Sequence, residues 1–327
     1  MEVRIDDNGA VLIGRNFTVD GHWKRNFRIV THFHADHIGQ LKSSIKECMG
    51  IISTLPTLEV LEALGYNVPE NKRIPLTYGM TTDIDSEKLT LHRSDHVFGS
   101  AQVEVEGEEE TVAYTGDFKN PGEGTPILNP DVLIIESTYG KPEFRREFKR
   151  EVNQLLADYV NDALSRGPVR MYGYHGKIQE AMKVLREMGV IAPFVVDEKI
   201  HRITEIAVKH GVNISDFYAL PKAMEEGIMK DGWYVEFKHF NNFKSRDNKF
   251  ANFLLSGWEF NLAVKRIDKS SFSVSFSDHA DFDDLVYYID NSKAKVIITD
   301  GGRGGYSREL AKYVSSVLKK KAFSLPF

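Results

Sequence analysis

Cysteine is almost missing from this chain of 327 residues, in which Cys48 is the only one. A single thiol excludes an intramolecular disulfide framework and a zinc-thiolate knuckle. Cys48 lies in Ile45-Lys46-Glu47-Cys48-Met49-Gly50 with no base partner beside it, so it reads as a buried or half-buried structural thiol. There is no apolar run of membrane-spanning length and no basic-then-apolar leader, from which no membrane partner and a cytoplasmic location are expected. Positive charge is in short supply: 42 Lys and Arg stand against 47 Asp and Glu, a formal net charge of −5. That balance argues against a blanket electrostatic binder of nucleic acid. It does not exclude action on nucleic acid, because carboxylates that hold cations enter the sum while the cations do not. No internal repeat or low-complexity tract is evident. Gly301-Gly302-Arg303-Gly304-Gly305 lacks the Lys-Ser/Thr ending of a phosphate-binding P-loop and reads as a flexible turn able to bring backbone close to a site.

What is present is histidine in an uncommon density. Thr31-His32-Phe33-His34-Ala35-Asp36-His37 follows the strand-like Phe27-Arg28-Ile29-Val30 and puts three imidazoles and a carboxylate on one short turn. Imidazole nitrogen and carboxylate oxygen are the ligands zinc takes when no thiolate is on offer. Side chains alternate along an extended segment, so His32 and His34 share a face and can share an ion. If the chain then turns, Asp36 and His37 reach a second ion. In Ser94-Asp95-His96-Val97-Phe98-Gly99-Ser100-Ala101, His96 is the natural third imidazole for the first ion. Val112-Ala113-Tyr114 ends in Thr115-Gly116-Asp117, a corner that puts the Asp117 carboxylate where it can bridge two cations. His22, His92, His201, His210 and His239 lack such company and read as ordinary structural histidines. Two adjacent divalent ions suit hydrolysis, and phosphodiester cleavage best, since a pair of ions activates water and clamps the oxygens of an in-line displacement.

The chain is long enough for two domains. Up to about Gly140, short β-branched runs between Gly, Asp, Asn and Pro turns predict a sheet-rich domain with a helix over Thr57 to Leu64. Beyond Lys141 the pattern changes to strand-helix alternation, which implies a small parallel sheet covered by helices. The expected elements are a helix through Phe148 to Ala163, a strand over Val169 to Tyr174, a helix over Lys177 to Met188, a strand at Pro193 to Val196 and a helix over Glu198 to His210. Near Ala251 strand-rich character returns, so the expected division is 1–140 with 255–327 for one domain and 141–254 for an insert. Lys177, at a strand's carboxyl end and a helix start, reads either as a phosphate contact or as a solvated first-turn lysine. Lys238 to Lys249 is basic and aromatic, and reads either as a contact for a nucleic-acid strand or as a solvated loop.

The order His-x-His-x-Asp-His, then His96, then Thr-Gly-Asp117 resembles the metallo-β-lactamase superfamily. Glu136-Ser137-Thr138-Tyr139-Gly140, the insert after it and Ser277-Asp278-His279-Ala280-Asp281 narrow the resemblance to its β-CASP nucleases. Phe17-Thr18-Val19-Asp20, Gly176-Lys177-x-Gln179 and Ser256-Gly257-Trp258 make the chain most similar, within that group, to compact ligase-associated DNA exonucleases and archaeal mRNA 3′-end processing factors. The similarity is weakest between Asp197 and Phe250. It implies an αββα sandwich of α/β class with an inserted small parallel α/β domain. It implies further that His32, His34 and His96 hold one zinc, that Asp36 and His37 hold the other, and that Asp117 bridges. Glu136 would orient site groups and His279 would act on the scissile phosphate or leaving oxygen, with Asp36 and Asp117 also in the catalytic set. Lys177, Ser256, Gly257 and Ser277 fall on the substrate side.

One position departs from the pattern. Where RNA-processing members end a strand with His-Gly, this chain has Asp300-Gly301. Asp300 is therefore expected as an oxygen ligand, with a second site that keeps zinc at altered affinity, takes manganese more readily or is partly filled. DNA-repair relatives also lack that histidine but carry Asp at the position of Glu136, so deoxyribose and ribose substrates both stay open. The expected function is a two-metal nuclease on single-stranded DNA or RNA, a 5′ exonuclease by family analogy. The alternatives are a catalytically weakened scaffold subunit, suggested by Asp300, and a small-molecule metallo-hydrolase on the same fold.

Overall fold

The computed structural model describes residues 1–149 and 151–326, which form two compact units. One is made of Met1–Arg145 and His279–Phe327, the other of Arg146–Asp278.

The first unit opens with six short strands: β1 (Val3–Ile5), β2 (Val11–Ile13), β3 (Phe17–Val19), β4 (Phe27–Ile29), β5 (Gly50–Ser53) and β6 (Arg73–Pro75), hydrogen-bonded in chain order. Helix α1 (Leu41–Glu47) packs on β5 and α2 (Leu55–Ala63) on β6. The Thr54 hydroxyl accepts the Thr57 N–H and Pro56 sits in the first turn, which fixes where α2 starts. A second sheet begins with β7 (Thr81–Ile84), β8 (Glu87–Arg93), β9 (Ala101–Glu106), β10 (Thr111–Tyr114) and β11 (Val132–Ile135).

The chain then enters the other unit: α3 (Val152–Leu164), β12 (Val169–Gly173), α4 (Lys177–Glu187), β13 (Phe194–Val196), α5 (Glu198–Lys209), β14 (Phe217–Ala219), α6 (Leu220–Glu225), β15 (Val235–His239), β16 (Ala251–Ser256), β17 (Val264–Arg266) and β18 (Ser271–Ser275). Its sheet runs β14-β13-β15-β12-β16-β18-β17 and is parallel except for β17 against β18. Leu156 and Val160 from α3, Ile178 and Leu185 from α4 and Ile200 from α5 bury against Met171, Phe194, Phe237 and Phe253 in a core of its own.

A boundary at 254/255 would cut this sheet in two. β16 pairs with β12 and β18 pairs with β16, so the strand-like sequence from Ala251 to Phe276 extends the parallel sheet. Strand character alone does not say which sheet a strand joins, and here the pairing partners lie about eighty residues upstream.

Back in the first unit, α7 (Phe282–Asn291), β19 (Val296–Asp300), α8 (Ser307–Ser316) and β20 (Lys321–Leu325) complete the second sheet in the order β20-β19-β11-β10-β9-β8-β7. Alternation along its strands explains the layers. Val112, Tyr114, Val132, Ile134 and Ile298 point at Val11, Ile13, Phe17, Val19 and Ile29 of the first sheet. Ala113, Leu133, Ile135 and Ile297 point the other way, into Phe282, Leu285, Leu310 and Val314 of α7 and α8. A central strand buried on both faces must be apolar throughout, hence the run Val132-Leu133-Ile134-Ile135. The result is the helix-sheet-sheet-helix sandwich of the α/β metallo-β-lactamase class.

Candidate metal centre

Strands β8, β10, β11 and β19 run in one direction, so their carboxyl ends share an edge of the second sheet. His96 follows β8, Asp117 follows β10 and Glu136 follows β11, while the His32 to His37 turn follows β4. Carboxyl edges of such sheets are where loops gather functional groups. Gly116 makes the corner before Asp117: its φ is +55°, and a Cβ there would lie 3.1 Å from Thr31 Cβ and 3.2 Å from the Ala101 carbonyl oxygen.

The site converges on Asp117. Its Oδ2 lies 3.1 Å from His37 Nε2, 3.6 Å from His32 Nε2 and 3.8 Å from His96 Nε2. His34 Nδ1 and His96 Nε2 stand 3.0 Å apart. Two nitrogens each about 2.0–2.1 Å from one ion fall roughly 3 Å apart, so that spacing suits co-ligands. His32, His34, His96 and Asp117 thus offer ligand atoms to one point, and Asp36, His37 and Asp117 to another.

The fit to cations is tested by polar atoms with nothing else to do. His32 Nε2 and His37 Nε2 are buried and have no hydrogen-bond partner, although the second lies within ion-pair distance of Asp117. A 3.1 Å approach without hydrogen-bond alignment is what two ligands facing a common ion show, rather than one bonding the other. Burying such nitrogens unpaired is costly, and a divalent cation removes the cost. The rear of each ring is fixed: Thr31 Oγ1 lies 3.0 Å from His32 Nδ1, and Asp20 Oδ2 lies 2.7 Å from His37 Nδ1. A carboxylate behind a ligating imidazole sets its tautomer and its basicity.

The electrostatics favour positive charge beside Asp117. Burial opposes charge on His37, but Asp117 and Asp20 outweigh it and lift its pKa to about 10. Burial also opposes charge on Asp117, yet His37 and His279 hold it well below the usual carboxylate range. Burial, with His37 and His96 alongside, pushes His32 well below an ordinary histidine.

Beside this cluster stands a carboxylate-imidazole pair. Glu136 Oε1 accepts the Phe118 N–H at 2.9 Å, and Glu136 Oε2 lies 3.1 Å from His279 Nδ1, with Thr138 Oγ1 3.3 Å from the same nitrogen. Burial, only partly offset by His279, raises the Glu136 pKa. His279 Nδ1 is 3.9 Å from Asp117 Oδ2, and Asp117, Glu136 and His279 form a further ligand-spaced group.

Asp300 does not join any of the ligand groups found among the described residues. It is buried; its Oδ2 accepts from Arg303 Nη1 at 2.7 Å and Tyr114 Oη at 3.1 Å, and its Oδ1 from the Gly302 N–H at 2.8 Å. The physical reason is strand alternation: Asp300 follows Ile298 onto the face between the two sheets, where the cation that meets it is a guanidinium. Lys177 is buried, not solvated, and its Nζ lies 2.9 Å from Asp278 Oδ1. Ser256 Oγ accepts the Trp258 N–H at 3.1 Å, the Gly257 carbonyl accepts from Arg146, and Ser277 is half-buried ahead of Asp278. In the stretch from Lys238, that lysine pairs with Glu236 at 3.1 Å and Phe243 packs on Tyr172. Cys48 is buried.

Three supporting residues had no assigned role in the sequence. Asp20 binds the Thr31 N–H at 2.7 Å as well as His37. Arg28, fully buried on β4, donates to the His37 carbonyl at 2.9 Å and to Ser44 Oγ at 3.2 Å, pinning the ligand turn to α1. Arg303 donates to the carbonyls of Gly9 and Asp20 while it pairs with Asp300. The available signal was a charge inside an otherwise strand-like run, at Arg28, and a single arginine in a glycine-rich turn.

The fold is metallo-β-lactamase-like, and its histidine and aspartate clusters could hold divalent metal. No family model matches the chain. It is 60% identical over 138 residues to an uncharacterised protein in the lig 3′ region of Acidianus ambivalens, covering 42% of this chain and 99% of that one. It is 24% identical to a probable DNA ligase of Opitutus terrae (93% of this chain, 29% of that one) and 29% identical to RNase aCSPSF2 of Saccharolobus solfataricus (63% and 47%). The chain thus spans less than half the length of the latter two relatives. A crystal structure of a protein of unknown function from Enterococcus faecalis shares the fold, with a TM-score of 0.64 at 12% identity over 92% of this chain and 79% of that one. The chain is related to the β-CASP nucleases of the metallo-β-lactamase superfamily.

Proposed function

We propose that this protein is a metal-dependent nuclease that hydrolyses phosphodiester bonds of single-stranded DNA or RNA, working from the 5′ end. The observation that carries the reading is the convergence of His32, His34, His96, Asp36 and His37 on one shared carboxylate, Asp117. Where bound, two divalent ions would acidify a water and neutralise the oxygens of an in-line phosphoryl displacement. His32, His34 and His96 would hold one ion, Asp36 and His37 the other, with Asp117 between them. Nitrogen and oxygen ligands without thiolate favour zinc, with manganese as the alternative.

The remaining chemistry belongs to the chain. Glu136 occupies His279 Nδ1, so proton delivery to a departing oxygen falls to Nε2 of that ring. The Glu136 carboxylate has its other oxygen fixed by the Phe118 N–H, which keeps the ring from turning. With Asp300 held by Arg303 and Tyr114, the second ion has fewer side-chain ligands than the first, and weaker occupancy of that site follows. A relative whose name is RNase and another named as a DNA ligase support nucleic acid as the substrate class.

The test is incubation of zinc-loaded and manganese-loaded protein with single-stranded DNA and RNA labelled at the 5′ or the 3′ end. Mononucleotide released first from the 5′-labelled strand is expected. Intact strands in every combination would overturn the reading in favour of a scaffold subunit, and turnover of a small ester alone would point to a small-molecule hydrolase.

A further inference from the structure

The sheet of the Arg146–Asp278 unit has two ends, and the amino end carries a cavity that the proposed chemistry does not use. It measures about 620 Å³, within the range of small-ligand sites. One wall is the carboxyl-terminal half of α3 with Tyr159, and Arg166 just past its end; the other is the start of β16 and the β17-β18 hairpin, with Lys249, Arg266 and Lys269. The lining holds four cations and one acid, Asp162, and that acid is already taken by a two-pronged pair with Arg166 at 2.7 and 2.6 Å. In a chain of net charge −5 this is a local reversal of sign.

The second property of the cavity is its aromatic wall. Tyr159 is 40% exposed and meets Phe272 edge-on with ring centroids 5.8 Å apart, while Phe250 lies on the same lining under the Arg170 guanidinium. Lys249 and Lys269 are exposed and make no ion pair among the described residues. Unneutralised lysines beside an accessible ring are the two halves of single-strand recognition: cations for phosphates and a π-face for a base. A purely phosphate site would not need the ring, and an apolar ligand would not need the lysines.

We infer that this cavity is a second, non-catalytic contact for a single strand of nucleic acid, stacking a base on Tyr159 and meeting its phosphates with Lys249 and Lys269. The choice of ligand rests on the nuclease reading, but the contact itself is measured without cleavage. The experiment uses the full chain with chelator present and a fluorescein-labelled single-stranded DNA, followed by anisotropy across a salt series. Lys249→Glu with Lys269→Glu should weaken binding tenfold or more and flatten the salt dependence by roughly 0.7 in log-log slope per lost phosphate contact. Tyr159→Ala should weaken it by about tenfold with the slope unchanged. Hydrolysis of bis-p-nitrophenyl phosphate by the metal-loaded variants should stay at the wild-type rate, which also shows that they are folded.

Unchanged affinity in both variants would overturn the inference while leaving the nuclease proposal intact. Loss of binding in the variants of a protein that cleaves nothing would do the reverse, sinking the nuclease proposal and keeping the contact. ADP is the probe for a free nucleotide: competition by ADP at concentrations as low as those of the strand itself would make the cavity a nucleotide site and overturn the strand contact.

Discussion

At the scale of single residues, the proposed chemistry separates groups that would hold cations from groups that would move protons. His279 shares Nδ1 with Glu136 and stands 3.9 Å from Asp117, and the proposal gives it a proton to move rather than a cation to hold. His279→Ala is expected to lower turnover by about 10²–10⁴-fold with metal content unchanged. Elemental analysis of the variant is the check, and a loss of metal would make His279 a ligand instead. Asp300 leads to the opposite expectation. Asp300→Ala would leave Arg303 buried without its carboxylate, at a cost of about 3–5 kcal/mol in urea unfolding, while the bound metal stays. A variant of wild-type stability that had lost metal would return Asp300 to the coordination shell.

At the scale of elements, what matters is how strands deliver side chains to one edge. Gly116 is the position with least latitude, because it takes φ +55° between β10 and Asp117 with Thr31 and Ala101 pressed against it. Gly116→Ala costs about 1–2 kcal/mol for the left-handed backbone alone. The added methyl also pushes on Thr31, whose hydroxyl backs His32, so metal occupancy should fall before the sheet melts. A circular-dichroism melt run beside a zinc titration reads both; an alanine variant with full zinc stoichiometry and affinity would refute the account. The element order was largely open to inspection in the sequence. Helices α3, α4 and α5 follow from apolar spacing and their stops, and β11 from its apolar run. The assignment of β16 to β18 was not, because pairing with β12 depends on residues far away in the chain.

At the scale of the whole molecule, the insert leaves and rejoins the first unit at neighbouring points. The Phe282 N–H donates to the Phe144 carbonyl at 3.0 Å, and Arg145 pairs with Asp283 at 2.7 Å. Every proposed cation ligand, and both apolar cores of the sandwich, lie in the unit outside the insert. Replacing the Arg146–Asp278 segment by a short Gly-Ser linker should therefore leave a protein that unfolds cooperatively and still binds zinc. Zinc should stabilise it by about 2.7 kcal/mol when free zinc reaches a hundred times its Kd. A product that stays molten with zinc present would show that the sandwich needs the insert to fold.

The sequence by itself brought the candidate ligands and their order into view, with Asp300 counted among them. The His32 to His37 turn, His96 and Asp117 are chemically unambiguous wherever they occur together, because imidazole and carboxylate at that density have few other uses. Local spacing also showed the strand-helix alternation of the inserted parallel sheet, while the sandwich was implied by the resemblance of the motifs to the metallo-β-lactamase superfamily. Tertiary structure alone decided which cation each carboxylate meets. Asp300 ends β19 and Asp117 follows the corner after β10 in the same sheet, yet one faces Arg303 and Tyr114 while the other faces four histidines. That difference arises from the strand face on which Asp300 sits, where Tyr114 comes back to it from 186 positions away, and from the Gly116 corner that turns Asp117 towards His32, His37 and His279; neither partner set can be read from the residues beside the carboxylate alone. The same holds for Lys177, whose partner Asp278 is reached only once the parallel sheet has formed.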